Sequence, residues 1–178
     1  MISFRQDKLR DHLGDLLKYG DAYVAGGAII AHLVPKYRTD DIDVFFPCAP
    51  PIDLPPDWAS VSHDQSTSEI DGARSVNFHW KPYSSIVFDL VFMPAQNSIG
   101  AILDHFDIDL ARCAYDIRED LYVITAGALN NIYARHITRQ YNNPNTQARV
   151  DKYLSRLPGW TSDTAAWDDA QAPFGLAF

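Results

Sequence analysis

The sequence predicts an α/β fold of the α+β kind, a small mixed sheet with helices on one side and a helical C-terminal part, and three observations carry that expectation. A double glycine, Gly26-Gly27, stands between a short apolar run and a helical pattern. An Asp-x-Asp pair, Asp41 and Asp43, is interleaved with apolar residues, and the apolar stretch Ile86 to Phe92 is broken only by Asp89. Successive side chains of a strand point to opposite faces, so Asp41 and Asp43 share one face while Ile42 and Val44 enter the core.

Between Phe4 and Tyr19 the apolar residues Phe4, Leu9, Leu13, Leu16 and Leu17 recur at three- and four-residue intervals with charges between them, the pattern of an amphipathic helix. Gly20 is expected to end it. Ala22 to Ala25 reads as a short buried strand, Gly26-Gly27 as a turn, Ala28 to Val34 as a helix stopped by Pro35, and Asp41 to Phe46 as the next strand. The stretch from Pro47 to Pro56 holds five of the eleven prolines, which excludes regular helix or central strand and makes it a surface loop. Trp58 to His63, Ala73 to Trp80 and Ser85 to Phe92 read as further strands.

From about Asn97 the pattern changes. Ile99 to His105 is expected to be helical, Ala111 to Ile117 and Leu121 to Thr125 to form a hairpin around Arg118-Glu119-Asp120, and Ala126 to Ile137 to form another helix. Asn142 to Asn145 reads as a turn, after which Thr146 is expected to cap a helix from Gln147 to about Leu157, broken by Pro158-Gly159. The organisation expected is residues 1–96 as the sheet-bearing unit, 97–160 as a hairpin and helical part, and 161–178 as an Asp- and Ala-rich tail, docked loosely or disordered.

At 178 residues, 47% hydrophobic and 21% charged, the chain is long enough to bury a core, and no apolar run approaches the length of a membrane-spanning helix. The N-terminus lacks the apolar segment of a secretory signal, so a cytoplasmic protein without a membrane partner is expected. Cys48 and Cys113 stand far apart and alone, with no zinc spacing or disulfide framework, and read as small apolar residues. A net charge of −8 argues against an extended duplex nucleic-acid interface, because phosphate backbones are held mainly by Lys and Arg.

The chemistry concentrates in the glycines and the carboxylates. Two carboxylates on one strand face repel unless a cation lies between them, and hard divalent cations choose carboxylate oxygens. A lone carboxylate in an apolar strand, Asp89, demands a partner in the same way. A glycine turn at a helix start offers backbone N–H groups to a phosphate and lets it approach closely. Asp41, Asp43 and Asp89 are therefore candidate ligands of one or two Mg²⁺ ions, with Mn²⁺ as a substitute, facing a phosphate cradle at Gly26 and Gly27.

Arg149, Lys152 and Arg156 fall on one helix face and are candidates for binding a triphosphate or acceptor, although a solvated face is the default for a charge run. Arg38 and Lys36 are weaker candidates for the same task. Asp107 and Asp109 form a second Asp-x-Asp that competes with Asp89, and the ordinary reading of Asp107 is a helix or turn cap. Asp40 faces away from its neighbours as a solvated or capping residue. His32, His63, His79, His105 and His136 share no ligand spacing, while Tyr115, Tyr122, Tyr133, Tyr153 and the tryptophans Trp58, Trp80, Trp160 and Trp167 are either core residues or base-stacking platforms.

The order Gly26-Gly27, then Asp41-Ile42-Asp43, then Phe88-Asp89-Leu90 resembles the nucleotidyltransferase superfamily of DNA polymerase beta, poly(A) polymerases, CCA-adding enzymes and antitoxin-type transferases. The resemblance covers roughly residues 20 to 93, the family's palm. It implies that Gly26 and Gly27 contact nucleotide phosphates, that Asp41 and Asp43 ligate metal, and that Asp89 helps activate an acceptor hydroxyl. The segments Phe106 to Asp116 and Arg149 to Arg156 more loosely resemble small nucleotidyltransferase-like proteins of bacteriophages, which would make the location a host cytoplasm. CCA-adding sequences follow the double glycine with an Arg-Asp pair where this chain has Ile30 and Ala31, and the chain lacks the length for their neck, body and tail. A CCA-adding role is therefore not implied.

The expected activity is Mg²⁺-dependent transfer of a nucleoside monophosphate from an NTP to an acceptor hydroxyl on RNA, protein or a small molecule, releasing pyrophosphate. Two other readings compete: a catalytically inactive, nucleotide-binding or antitoxin-like regulator of the same fold, and a metal-dependent phosphohydrolase.

Overall fold

The computed structural model describes residues 13–39, 41–50, 52–53, 67–70, 73–83, 86–141 and 145–163. The expected helix before Leu13, Asp40, Pro51 and the end of the proline loop, the strand Trp58–His63, the turn at Asn142–Pro144 and the tail after Asp163 lie outside the described residues.

A 3₁₀ turn, Gly14–Tyr19, opens the described chain and ends where the Gly20 N–H, at φ 134°, donates to the Leu17 carbonyl. Then follow β1 (Tyr23–Ala25), α1 (Gly27–Leu33), β2 (Asp41–Phe46), β3 (Thr67–Ile70), β4 (Ala73–Tyr83), β5 (Ile86–Phe92), α2 (Ile99–Leu103) and a 3₁₀ turn at Asp109–Ala111. The chain closes with β6 (Cys113–Asp116), β7 (Leu121–Ile124), α3 (Ala126–Ala134), β8 (His136–Ile137), α4 (Thr146–Arg156) and β9 (Thr161–Ser162). Each expected strand and helix within the described residues is present in whole or in part, and β3, β8 and β9 are additions.

Seven strands form one sheet in the order β3-β4-β5-β2-β1-β6-β7. It is mixed: β2 and β5 run parallel, while β1 is antiparallel to both β2 and β6. The hairpin β6–β7 turns at Arg118-Glu119-Asp120 as expected, where the Asp116 carboxylate accepts the N–H groups of Arg118 (2.9 Å) and Glu119 (3.0 Å).

Strand alternation sorts the core into two faces. Val24, Ile42, Val44, Phe46, Phe88, Leu90 and Phe92 are fully buried on one face with Ile29 and Ile30 of α1, Ala128 of α3 and Val150 of α4. Tyr23, Ala25, Phe45 and Val91 face the other way and pack with Ile102 and Leu103 of α2. The expectation of helices on one side is thus corrected. A sheet buried in its centre on both faces needs cover on both, and α2, capped by the Ser98 hydroxyl accepting the Ala101 N–H at 3.2 Å, supplies the second cover.

Three expectations about element ends differ from the structure. The helix expected to run to Ile137 stops at Ala134 because Arg135 turns left-handed (φ 52°), freeing His136 and Ile137 to pair with Thr161 and Ser162, residues assigned to the tail. Thr146 is the first residue of α4 and not its cap, because its hydroxyl donates to the Asp107 carboxylate at 2.6 Å and Asn145 occupies the cap position. Asp107 is 2% exposed and ion-paired with Arg149.

Asp109, 6% exposed, sits against the first turn of α3, accepting the Thr138 hydroxyl (2.7 Å) and facing Arg112 (3.5 Å). That approach needs a glycine. A Cβ at Gly127 would lie 2.4 Å from the Asp109 Oδ1. Gly127→Ala should therefore destabilise the fold by about 1–3 kcal/mol, although Ala is better than Gly in a helix by about 1 kcal/mol, and urea unfolding of the two proteins reads the sign directly.

Candidate active site

The parallel register of β2 and β5 sets Asp43 directly beside Asp89, with Asp41 two residues earlier on the same face. On the other side of β2, Asp43 is level with Ala25, and Ala25 in turn with Ala114. Two residues with no side chain beyond Cβ leave that face open next to the carboxylates. The chain then leaves β1 through Gly26, whose φ of 69° suits glycine and few other residues. A Cβ there would meet the Phe106 ring at 3.3 Å, with the Asp43 Oδ2 at 3.9 Å, so the turn is pressed between an aromatic lid and the acidic pair.

The Gly26 N–H donates to the Cys113 carbonyl at 3.1 Å, while its own carbonyl accepts the N–H groups of Ile29 and Ile30 and starts α1. The N–H groups this turn can offer an anion therefore begin at Gly27, in the first turn of the helix. Thr39, 4% exposed, lies between the two halves of the site. Its hydroxyl donates to the Asp41 Oδ1 at 2.8 Å, and a Cβ on Gly27 would come within 3.2 Å of it.

A cavity of about 370 Å³, within the size range of small-molecule sites, is lined by Gly26, Gly27, Asp41, Asp43, Asp89, Arg149 and Lys152. Seven of the residues singled out in the sequence thus meet around one space, whereas Lys36 and Arg156 do not line it. Nor does Arg38: its guanidinium turns back to the Tyr37 carbonyl at 2.7 Å, and its own carbonyl accepts from Arg156. Of the further lining residues, Asp107 and Tyr153 are ones the sequence offers as a rival metal ligand and a base-stacking platform, whereas nothing in the sequence assigns His105 and Phe106 to the site. The loop 105–107 has no periodicity to mark it, whereas Tyr153 had at least its position one residue from Lys152 as a signal.

The electrostatics are lopsided. Burial, then the neighbouring Asp41, then Asp89 push the Asp43 carboxyl up to about 7, against the opposing pull of Lys152 and Arg149. Burial foremost also raises the Tyr153 hydroxyl well above its ordinary range, with Tyr37, Cys113 and Asp43 adding to it. A carboxylate so burdened by like charge is one that a divalent cation would relieve, and the donor set, oxygen only, suits Mg²⁺ or Mn²⁺. Among the described residues, no three His, Cys, Asp or Glu side chains are grouped as closely as a bound ion requires.

Residues 2–135 match the family described as Gabija anti-defense 2 family protein. The chain belongs to the Gabija anti-defense 2 (Gad2) family. The matched stretch of this Gad2 chain carries the glycines and all three strand carboxylates, and α4 follows it. Among solved structures it is similar to a tRNA-processing enzyme in an apo form, with a TM-score of 0.58 and 13% identity over 92% of this chain and 45% of that one. It is also similar to the Thermotoga maritima CCA-adding enzyme complexed with tRNA, with a TM-score of 0.57 and 14% identity over 92% of this chain and 40% of that one. A tRNA nucleotidyltransferase complexed with a primer tRNA and an incoming ATP analogue gives 0.52 and 13% over 85% and 46%.

These likenesses establish the nucleotidyltransferase fold of the Gad2 chain, matching the head of the CCA-adding enzyme. The chain spans less than half the length of each of these structures. No curated protein matches it. No helix among the described residues is long and apolar enough to cross a membrane.

Because Asp43 binds a proton more readily folded, at about 7, than at the ordinary 3.8, its ionisation favours the unfolded chain. The stability linked to this group is therefore present below about pH 4 and lost as the pH climbs through 7. In buffer containing EDTA, Asp43→Asn should raise the unfolding free energy at pH 8 by on the order of 1–3 kcal/mol and by less at pH 5. Equal effects at both pH values in urea titrations would contradict this account.

Proposed function

We propose that this protein is a metal-dependent nucleotidyltransferase that moves a nucleoside monophosphate from an NTP to an acceptor hydroxyl, and that it acts against Gabija defence through that chemistry, in a host cytoplasm. The observation that carries the reading is the meeting of Asp41, Asp43 and Asp89 with the Gly26-Gly27 turn and the cations Arg149 and Lys152 around one cavity. The fold shared with a tRNA-processing enzyme solved with CTP and a CCA-adding enzyme solved with ATP supports it.

Asp41, Asp43 and Asp89 would hold Mg²⁺, which when bound neutralises phosphate charge and acidifies the acceptor hydroxyl. The chain's own residues do the rest. Arg149 and Lys152 attract and orient the triphosphate, the Gly27 end of α1 receives phosphate oxygens, and Phe106 with Phe45 offers an apolar wall to the nucleoside. The acceptor oxygen attacks the α-phosphorus, a new O–P bond forms, the bond to the bridging oxygen of the β-phosphate breaks, and pyrophosphate leaves. Asp89 would receive the hydroxyl proton and pass it to solvent. Positioning and charge neutralisation supply the catalysis.

A regulatory reading is favoured by one observation: the family's description names counter-defence and no reaction. In that reading the cleft binds a nucleotide or a partner without turnover. The acceptor, whether RNA, protein or small molecule, is the substrate to be found by following label from each NTP into host fractions, and a phosphohydrolase would leave every acceptor unlabelled.

Asp41→Asn and Asp43→Asn should each lower the rate of pyrophosphate release from NTP and Mg²⁺ by about 100-fold or more with an unchanged circular dichroism spectrum. Turnover at the parent rate in both variants refutes the transferase. In cells carrying Gabija, loss of counter-defence in the same variants ties the activity to the biology. Full protection by both would favour the regulatory reading.

A further inference from the structure

Asp107 lies outside the sheet, in the loop between α2 and the 3₁₀ turn, yet it is 2% exposed and lines the cleft. Its two carboxylate oxygens reach the same helix. The Thr146 hydroxyl donates to Oδ2 at 2.6 Å and the Arg149 guanidinium to Oδ1 at 2.9 Å. Thr146 and Arg149 are three residues apart, so both donors stand on one face of α4. Lys152, three residues further, continues that face into the cavity.

A buried carboxylate is costly unless hydrogen-bonded and paired, and here the helix supplies both kinds of partner. The benefit returns to the arginine. Arg149 keeps about half of its side chain exposed (48%), and a half-exposed arginine without an anchor spreads over many rotamers and loses that conformational freedom when a ligand fixes it. Paired to a rigid, buried carboxylate, its fork is fixed in advance.

The same geometry answers whether Asp107 rivals Asp89 as a metal ligand. Both of its oxygens face α4 donors, whereas Asp89 is level with Asp43 on the neighbouring strand. Arg149 and Lys152 in turn lie within electrostatic reach of Asp43, so the wall that Asp107 anchors opposes the acidic floor directly.

We infer that Asp107 is a positioning residue for nucleotide binding: it fixes Arg149, and through α4 the cationic wall of the cleft, without itself touching metal or substrate. This rests on the nucleotide reading above. It predicts coupling between two residues, which a merely stabilising ion pair would not show in ligand affinity.

The test is a double-mutant cycle on the full chain, reading the affinity for a non-hydrolysable NTP analogue with Mg²⁺ by fluorescence, together with KM and kcat for the NTP. Asp107→Asn should weaken binding about tenfold and raise KM alike, while kcat at saturating NTP stays within about threefold. Arg149→Ala should weaken binding at least as much, and adding Asp107→Asn to it should cost nothing further. Where Asp107→Asn does not fold, Asp107→Glu, which keeps the charge but displaces the fork, should show the same non-additivity. Unaltered affinity in the Asp107 variants, or losses that add across the cycle, overturns the inference. A parent protein that binds no NTP removes the nucleotide reading and this inference with it, whereas a parent that binds with an additive cycle removes the inference alone.

Discussion

The parallel pairing of β2 with β5 is the constraint on which the site depends. It sets Asp43 level with Asp89, and it is stabilised on the far face, where Ile42 lies opposite Phe88 and Val44 opposite Leu90, all fully buried. A slip of one residue would turn those apolar side chains to the cleft and the carboxylates into the core, so the packing of one face dictates the chemistry of the other. The repulsion between the carboxylates is tolerated because the apolar pairs behind them cannot be satisfied in any other register. The antiparallel neighbour β1 adds the remaining requirement, small side chains and a glycine turn beside Asp43, by bringing Ala25 and then Gly26 to that level.

The cleft is built from two kinds of material. Its acidic floor comes from adjacent strands and its cationic wall from one helix that packs on the opposite core face through Val150. A ligand bearing both signs, as a metal triphosphate does, meets each side with its complement. A simple anion or a bare cation would satisfy only one. Thr39 and Asp107 play parallel parts, each buried, each holding one charged side chain of the site by a short hydrogen bond.

Much of this arrangement was legible in the sequence because it is written locally. The glycine pair, the alternation around Asp41 and Asp43 and the single carboxylate within Ile86–Phe92 each follow from neighbours one or two positions away, and all five residues drawn from these patterns line the cavity. What could not be read depends on distant partners. Thr146 has the composition of a cap, yet Asp107, 39 residues earlier, claims its hydroxyl. Arg38 sits close in sequence to the acidic strand but turns to its own backbone. Nothing in the loop of His105 and Phe106 announces that it folds over Gly26, and the face covered by α2 is a property of the sheet as a whole. The left-handed turn at Arg135 likewise leads into the pairing of β8 with β9, a partner that lies beyond α4.

That last pairing shapes how the molecule would fail under stress. The helix bearing Arg149 and Lys152 packs Val150 into the core and is otherwise moored at its start by two bonds to Asp107 and, past its end, by a ribbon of two residues per strand, reinforced by His136 contacting Thr161 and Asp163. The carboxylates, by contrast, are woven into seven strands. Short moorings fray before a sheet opens. On warming, the protein would lose the opposition of charges across its cleft while its strands remain paired, so function would have a lower ceiling than the fold.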